Sequence, residues 1–132
     1  MSVFRPGFGL AAARGFDALA ARVTPPPNSS LRELAAVIGE ENTRNLVRTF
    51  LREFPASLKE LSLVERRQQH RLIHSMKSST NVIGAHDFSA RLAQLEEKLA
   101  DPALPDLSPP EIQQLAGEFV TVVGPLRDFV AP

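Results

Sequence analysis

The 132-residue chain contains no cysteine, no tryptophan and no tyrosine. The absence of cysteine excludes disulfides, thiolate metal sites and a cysteine nucleophile, and it agrees with a reducing, cytoplasmic location. The first ten residues, MSVFRPGFGL, lack the basic start and the continuous apolar stretch of a signal peptide. No apolar run approaches the ~20 residues that a membrane-spanning helix needs, so we expect no membrane insertion. The core therefore has to be built from Leu, Val, Ile and eight Phe residues.

An excess of charge of one sign is also missing, since 15 Lys and Arg residues balance 15 Asp and Glu residues. This balance argues against a dedicated nucleic-acid-binding protein. The charges are nevertheless unevenly distributed along the chain. Residues 44–77 carry eight basic and three acidic side chains (net +5), whereas residues 78–132 carry three basic and eight acidic ones (net −5). Two interpretations stay open: oppositely charged solvated helix faces that pack side by side, or a basic surface that attracts an acidic partner or a phosphate group.

The chain is predicted to divide into an N-terminal extension, residues 1–28, and a compact domain, residues 29–132. The extension contains apolar residues at roughly helical spacing between Phe8 and Val23, which is compatible with a short amphipathic helix. It ends in Pro25-Pro26-Pro27, a sequence typical of a stiff, extended spacer.

The compact domain is predicted to be all-α, because no segment alternates apolar and polar residues long enough to indicate a sheet. Ser30 and Glu33 fit a capping box at the start of a short leading helix that ends near Gly39. Longer helices are predicted over about residues 41–61, 65–83 and 85–100, and a last one follows Ser108. The short connections favour an antiparallel up-down four-helix bundle with a short leading helix.

Apolar residues spaced three and four apart define the predicted core faces of these helices. In the second helix they are Leu46, Phe50, Phe54, Leu58 and Leu61, widened by Val47 and Leu51. In the fourth helix they are Phe88, Leu92, Leu95 and Leu99, and in the fifth they are Ile112, Leu115, Phe119, Val122, Leu126 and Phe129. Pro55 is expected to kink or split the second helix, and Ser108-Pro109-Pro110-Glu111 predicts a capping box with a first-turn proline.

The third helix carries the candidate chemistry. On a helical wheel with about 100° per residue, a polar strip without any acidic residue is centred on His74, and the opposite side is predicted core with Leu72, Met76, Ser79 and Ile83. The other members of this strip are Arg67, His70, Arg71, Lys77, Ser78 and Asn81. A neutral imidazole is a usable nucleophile. If it attacks phosphorus, Lys77 and Arg71 can offset the negative charge that is added.

Residues 73–85, IHSMKSSTNVIGA, together with the apolar stripe of the fourth helix, resemble the signature of histidine-containing phosphotransfer (HPt) domains. That signature has a histidine, a lysine three residues later, a small residue after it, a glycine ten residues after the histidine, and a downstream Leu-Glu pair. The matching positions here are His74, Lys77, Ser78, Gly84 and Leu95-Glu96. The resemblance extends over about residues 29–130. Ser78 departs from the family pattern, which usually has glycine at that position.

The resemblance implies a phosphocarrier without an ATP site or kinase activity. His74 would take a phosphoryl group from a receiver-domain aspartate or a histidine kinase and pass it to a response regulator, supported by Lys77, Arg71 and Ser78. No cofactor is implied, because the Mg²⁺ used in transfer belongs to the receiver. We expect a monomer that docks partners through exposed parts of the second and third helices, including Arg67, His70, Arg71, Ser75, Ser78, Asn81 and Val82.

Two other functions compete with this one. The first is a helical adaptor that binds a receiver or kinase without accepting phosphate, an alternative that Ser78 favours. The second is a metal-binding bundle, since His70 and His74 stand four residues apart; only two ligands are evident, so no metal site is predicted.

The remaining conspicuous residues receive structural predictions. Gly84 is expected to end or bend the third helix where a left-handed conformation or a close approach is needed. Glu96 and Glu97 are expected to be solvated. His86 is expected to lie on a loop surface or to form a hydrogen bond near the start of the fourth helix.

Overall fold

The structure, a computed structural model, describes residues 24–132, and these residues form five helices and no strand. The helices are α1 (Ser29–Ile38), α2 (Glu40–Leu61), α3 (Arg66–Val82), α4 (His86–Ala100) and α5 (Pro109–Val130). The predicted all-α class is therefore confirmed for this part of the chain, whereas the helix predicted between Phe8 and Val23 lies outside the described residues. Within residues 24–132, no helix is both long enough and apolar enough to cross a membrane.

Three of the five helices, α1, α3 and α5, begin at a side chain that accepts free backbone N–H groups. At α5 the predicted capping box is confirmed, since the Ser108 hydroxyl and the Glu111 carboxylate each accept a backbone N–H of the other residue. At α1 the prediction is wrong, because Asn28 and not Ser30 is the cap. Its Oδ1 accepts the N–H of Leu31 at 2.8 Å, so the helix already begins at Ser29.

Helix α2 runs without a break through Pro55, so of the two predicted effects of this residue, a kink or a split, the split does not occur. Pro55 itself is exposed, whereas Phe54 before it and Leu58 after it in the helix are buried. The core face is also rotated from the predicted one. Val47 is fully buried whereas Leu46 is 37 % exposed, because packing against the other helices selects which neighbour of an apolar pair faces inward.

One hydrophobic core joins all five helices. At its centre lie four phenylalanine rings, Phe50 and Phe54 from α2, Phe88 from α4 and Phe119 from α5. Five of the six ring pairs have centroids 4.4 to 6.2 Å apart, and the closest pair, Phe54 and Phe119, is stacked. The core face of α5 uses Val123 in place of the predicted Val122, which is only half-buried.

Helix α3 packs more extensively on α4 than on any other helix. Its buried residues are Gln69, Ile73, Met76 and Thr80. Ser79, predicted to face the core, is instead exposed, and Leu72 is half-buried. The core face of α3 is thus rotated towards Ile73, and this rotation turns the Lys77 edge of the polar strip towards α4.

Candidate functional site around His74

The beginning of α3 is held in place by buried or half-buried polar side chains. The buried amide of Gln69 donates to the carbonyl of Leu61 at 2.9 Å and accepts the N–H of Leu107 at 3.0 Å. The guanidinium of Arg66 donates to backbone carbonyls at the end of α4 and in the following loop, those of Lys98, Leu99, Asp101 and Leu104. Because these partners are main-chain groups, the two side chains hold α3 in position and are not available to bind a ligand.

The end of α3 is fixed by a close approach at Gly84. This residue has φ +85°, the left-handed conformation predicted for it. The Asn28 side chain lies directly against it and donates to the carbonyl of Ile83 at 2.9 Å, so a Cβ at position 84 would stand 2.3 Å from Asn28 Oδ1. Next to this contact, His86 is hydrogen-bonded through Nδ1 to Asn81 at 2.9 Å and through Nε2 to Ser30 at 3.0 Å.

Between these two ends, α3 presents His74 to solvent with 60 % of its side chain exposed. Glu96 of α4 reaches the ring, and its Oε2 lies 2.6 Å from His74 Nδ1. The other carboxylate oxygen, Oε1, lies 2.6 Å from the Lys77 ammonium. One carboxylate therefore joins the two α3 residues that stand three positions apart.

Glu96 is the site residue whose role sequence reasoning missed. It was expected to be solvated, but its side chain is only 17 % exposed and has two side-chain partners, so that prediction is wrong. The polar strip on α3 contains no acidic residue. The carboxylate beside His74 comes instead from α4, 22 residues further along the chain. The Leu95-Glu96 pair in the family signature was the one signal that pointed to this position.

The electrostatics of this cluster assign the protons. The hydrogen bond from Lys77, and secondarily the one from His74, hold the pKa of the Glu96 carboxyl below its usual range despite partial burial, which raises it. The carboxylate is therefore ionised and can only accept hydrogen bonds. The proton in the 2.6 Å contact consequently belongs to His74 Nδ1, and in this tautomer of the imidazole the lone pair lies on Nε2.

The other predicted site residues surround this cluster without hydrogen bonds to the His74 ring among the described residues. His70 is half-buried and lines an open cavity of about 350 Å³ between α3 and α4, together with Arg67. Exposed positions are occupied by Arg67, Arg71, Ser75, Ser78, Asn81 and Val82. Within residues 24–132, no three His, Asp or Glu side chains cluster in a way that could hold a metal ion.

A groove between α2 and α3 lies next to the strip. Val82, 52 % exposed, and Leu46 border a cavity of about 230 Å³ whose floor includes Phe50. A smaller cavity of about 140 Å³ shares Phe50 and Ser79 with it and extends to Ser75, the residue after His74. Small and apolar side chains, together with the carboxylate of Glu53, thus line a depression that extends to Ser75.

Comparisons with known proteins add no assignment to this geometry. No protein-family model matches the chain, and no curated protein or solved structure shows significant similarity to it.

Proposed function

We propose that this protein is a histidine phosphotransfer protein of the HPt type, a phosphocarrier rather than an enzyme. It carries a phosphoryl group on His74 between receiver-domain aspartates, or from a histidine kinase to a response regulator, in a two-component phosphorelay. Helices α2 to α5 form its antiparallel up-down four-helix bundle, and α1 is the short leading helix. The observation that carries the proposal is an exposed imidazole with Nδ1 bonded to an ionised carboxylate and a lysine beside it.

The chemistry follows from the proton assignment. The Nε2 lone pair of His74 attacks phosphorus, the bond from phosphorus to the donor's oxygen breaks, and that oxygen keeps the electron pair. Transfer of this kind depends mainly on positioning and charge compensation, so few residues suffice. Lys77, one turn along from His74 and 31 % exposed, supplies a cation within reach of the added phosphoryl group. Arg71 and Ser78 provide further donors on the same exposed strip.

The partner is a receiver domain, which brings its own Mg²⁺, so this chain needs no cofactor and no ATP site. The groove between α2 and α3 offers a docking surface that extends to Ser75, the residue after His74, with Val82 and the acidic Glu53 along it. Arg67, His70 and Asn81 extend this surface along α3, and the basic residues attract the acidic cleft of a receiver. We propose that the protein acts as a cytoplasmic monomer in this relay.

The test is transfer from a receiver phosphorylated on its aspartate. We expect acid-labile phosphate on the wild-type chain and none on His74→Gln, with helicity unchanged because His74 is exposed and makes no core contact. His86→Gln is the matched control, since it removes the exposed imidazole of a histidine that lies outside the proposed docking surface and should keep the label. Label that persists on His74→Gln contradicts the proposal. Receiver binding that survives His74→Ala without any transfer would instead identify a non-phosphorylated adaptor.

A further inference from the structure

The Glu96 carboxylate is bonded to the ring nitrogen that does not attack phosphorus. Resting on the function proposed above, we propose that Glu96 keeps the Nδ1 proton on His74 after phosphorylation. Phospho-His74 is then held as a protonated ring bonded to phosphorus through Nε2. In this form the imidazole is a good leaving group, so Glu96 is a positioning residue that keeps the phosphoryl group ready for transfer.

The protons and electrons balance without any proton transfer to Glu96. When Nε2 bonds to phosphorus, the ring becomes cationic because Nδ1 retains its hydrogen, and the neighbouring carboxylate compensates that charge. When a receiver carboxylate oxygen attacks the same phosphorus, the P–Nε2 bond breaks and its electron pair returns to Nε2. The neutral ring is regenerated with its proton still on Nδ1, so the same tautomer starts and ends the cycle.

The charges around the ring make Glu96 the decisive group. On α3 the charged or titratable neighbours are Arg67, His70, Arg71 and Lys77, and those that are cationic disfavour a positive charge on the ring. From α2, Glu53 lines the cavity beside Ser75 but has no hydrogen bond to His74. Among the described residues, Glu96 of α4 is the carboxylate bonded to the ring. Its position next to Nδ1 therefore determines whether the phosphorylated ring keeps its proton.

Lys77 strengthens this arrangement once the phosphoryl group is in place. In the unphosphorylated protein its ammonium and the His74 N–H share the Glu96 carboxylate, each at 2.6 Å. A phosphoryl group adds about −1.5 to −2 charges and strong acceptor oxygens, and Lys77 has three donors on a flexible stem. As Lys77 turns towards the phosphoryl oxygens, the carboxylate is left to the protonated ring.

The experiment uses inorganic phosphoramidate, which phosphorylates the full-length chain directly and needs no partner protein. Decay of phospho-His74 is followed by ³¹P NMR from neutral to mildly alkaline pH in wild type, in Glu96→Gln and in Glu97→Gln. Glu97 is the matched control because it is the adjacent, exposed carboxylate on α4. We expect the pH at which decay slows to be about one unit lower in Glu96→Gln, which makes its decay about tenfold slower on the alkaline side. Glu97→Gln should decay like wild type.

A second measurement keeps the proposal falsifiable if Glu96→Gln folds poorly. In ¹⁵N-labelled, phosphorylated wild-type protein, the Nδ1 signal of His74 should remain that of a protonated nitrogen at mildly alkaline pH. A deprotonated Nδ1 there, or equal decay of wild type and a folded Glu96→Gln, overturns the proposal. Either result leaves the proposed transfer from a receiver to His74 untouched. Failure of that transfer would instead contradict the proposed function and would not bear on the role of Glu96.

Discussion

The two ends of α3 and its middle use polar side chains in opposite ways. At the ends, Gln69 and Asn28 are bonded to backbone groups. In the middle, His74 and Lys77 contact a side chain, Glu96, and remain partly open to solvent. A side chain that bonds main-chain groups holds the helix in place, while one that retains an unused nitrogen at the surface is available for chemistry. Substitutions that destabilise the fold should therefore be separable from substitutions that abolish the proposed phosphotransfer.

The largest effect on stability is expected from Gln69→Leu. This change leaves the carbonyl of Leu61 and the N–H of Leu107 buried without partners, and we expect it to lower the free energy of unfolding by about 2–4 kcal/mol. Urea denaturation measures the loss. Gln68→Leu, at the exposed neighbouring position, is the control and should stay within about 0.5 kcal/mol of wild type.

The Gln69→Leu variant also tests whether the ends of α3 and its middle act independently. Below the midpoint of its unfolding transition, folded Gln69→Leu should still accept phosphate on His74, since the change lies about one and a half helical turns away and on the core face. An equal loss of stability and of phosphate acceptance per folded molecule would show that the two regions are not independent.

Gly84→Ala is expected to have the next largest effect. A Cβ at this position raises the energy of the left-handed backbone by about 1–2 kcal/mol, and it overlaps the Asn28 side chain. We expect a total loss of about 2–3 kcal/mol, measured by thermal or urea unfolding. In an Asn28→Ala background the overlap is absent, so the cost of Gly84→Ala should fall to the backbone part alone.

Gly117→Ala is the matched control for Gly84. Gly117 lies within α5, its added Cβ would meet no atom within 4 Å, and its φ is not positive. Because alanine is favoured over glycine inside a helix, we expect this change to stabilise the protein by about 0.5–1 kcal/mol. Destabilisation at both glycines would mean that the close approach to Asn28 is not what distinguishes Gly84.

The sequence predicted those features that depend on neighbours within one or two turns. The helices, the capping box at Ser108 and the left-handed Gly84 all follow from spacing and from local backbone chemistry. The exposure of His74 follows in the same way, since the residue stands at the centre of a polar strip.

What the sequence could not predict depends on how the helices rotate against one another. Leu46 and Val47 are adjacent apolar residues, and only packing decides that Val47 is the buried one. The contact between Glu96 and His74 likewise requires α4 to turn one particular face towards α3, which no periodicity within either helix specifies. The Asn28 cap was missed for a related reason, because its amide is used both at α1 and at the end of α3.

The smallest expected effect is on the stability of the protein in acid. Here we compare Glu96, the carboxylate beside His74, with Glu111, the carboxylate that caps α5. The pKa of Glu111 is lowered by the hydrogen bond from Lys98 and then by the bond from the Ser108 N–H, and that of Glu96 by Lys77 and His74. Both folded-state pKa values lie below the unfolded ones. The unfolded chain therefore binds more protons in acid, so these contributions are present above about pH 5 and are lost as the pH falls through the folded pKa values.

Glu111→Gln and Glu96→Gln should each make the free energy of unfolding less dependent on pH between about pH 5 and pH 3. Because both ion pairs are partly exposed, each change should amount to less than about 1 kcal/mol. Glu111→Gln should have the larger effect, since it also replaces the charged acceptor of the Ser108 N–H at the start of α5 with a neutral one. Urea titrations at several pH values measure this slope. A larger effect at Glu96 than at Glu111 would mean that the carboxylate beside His74 contributes more to holding the helices together than the α5 cap does.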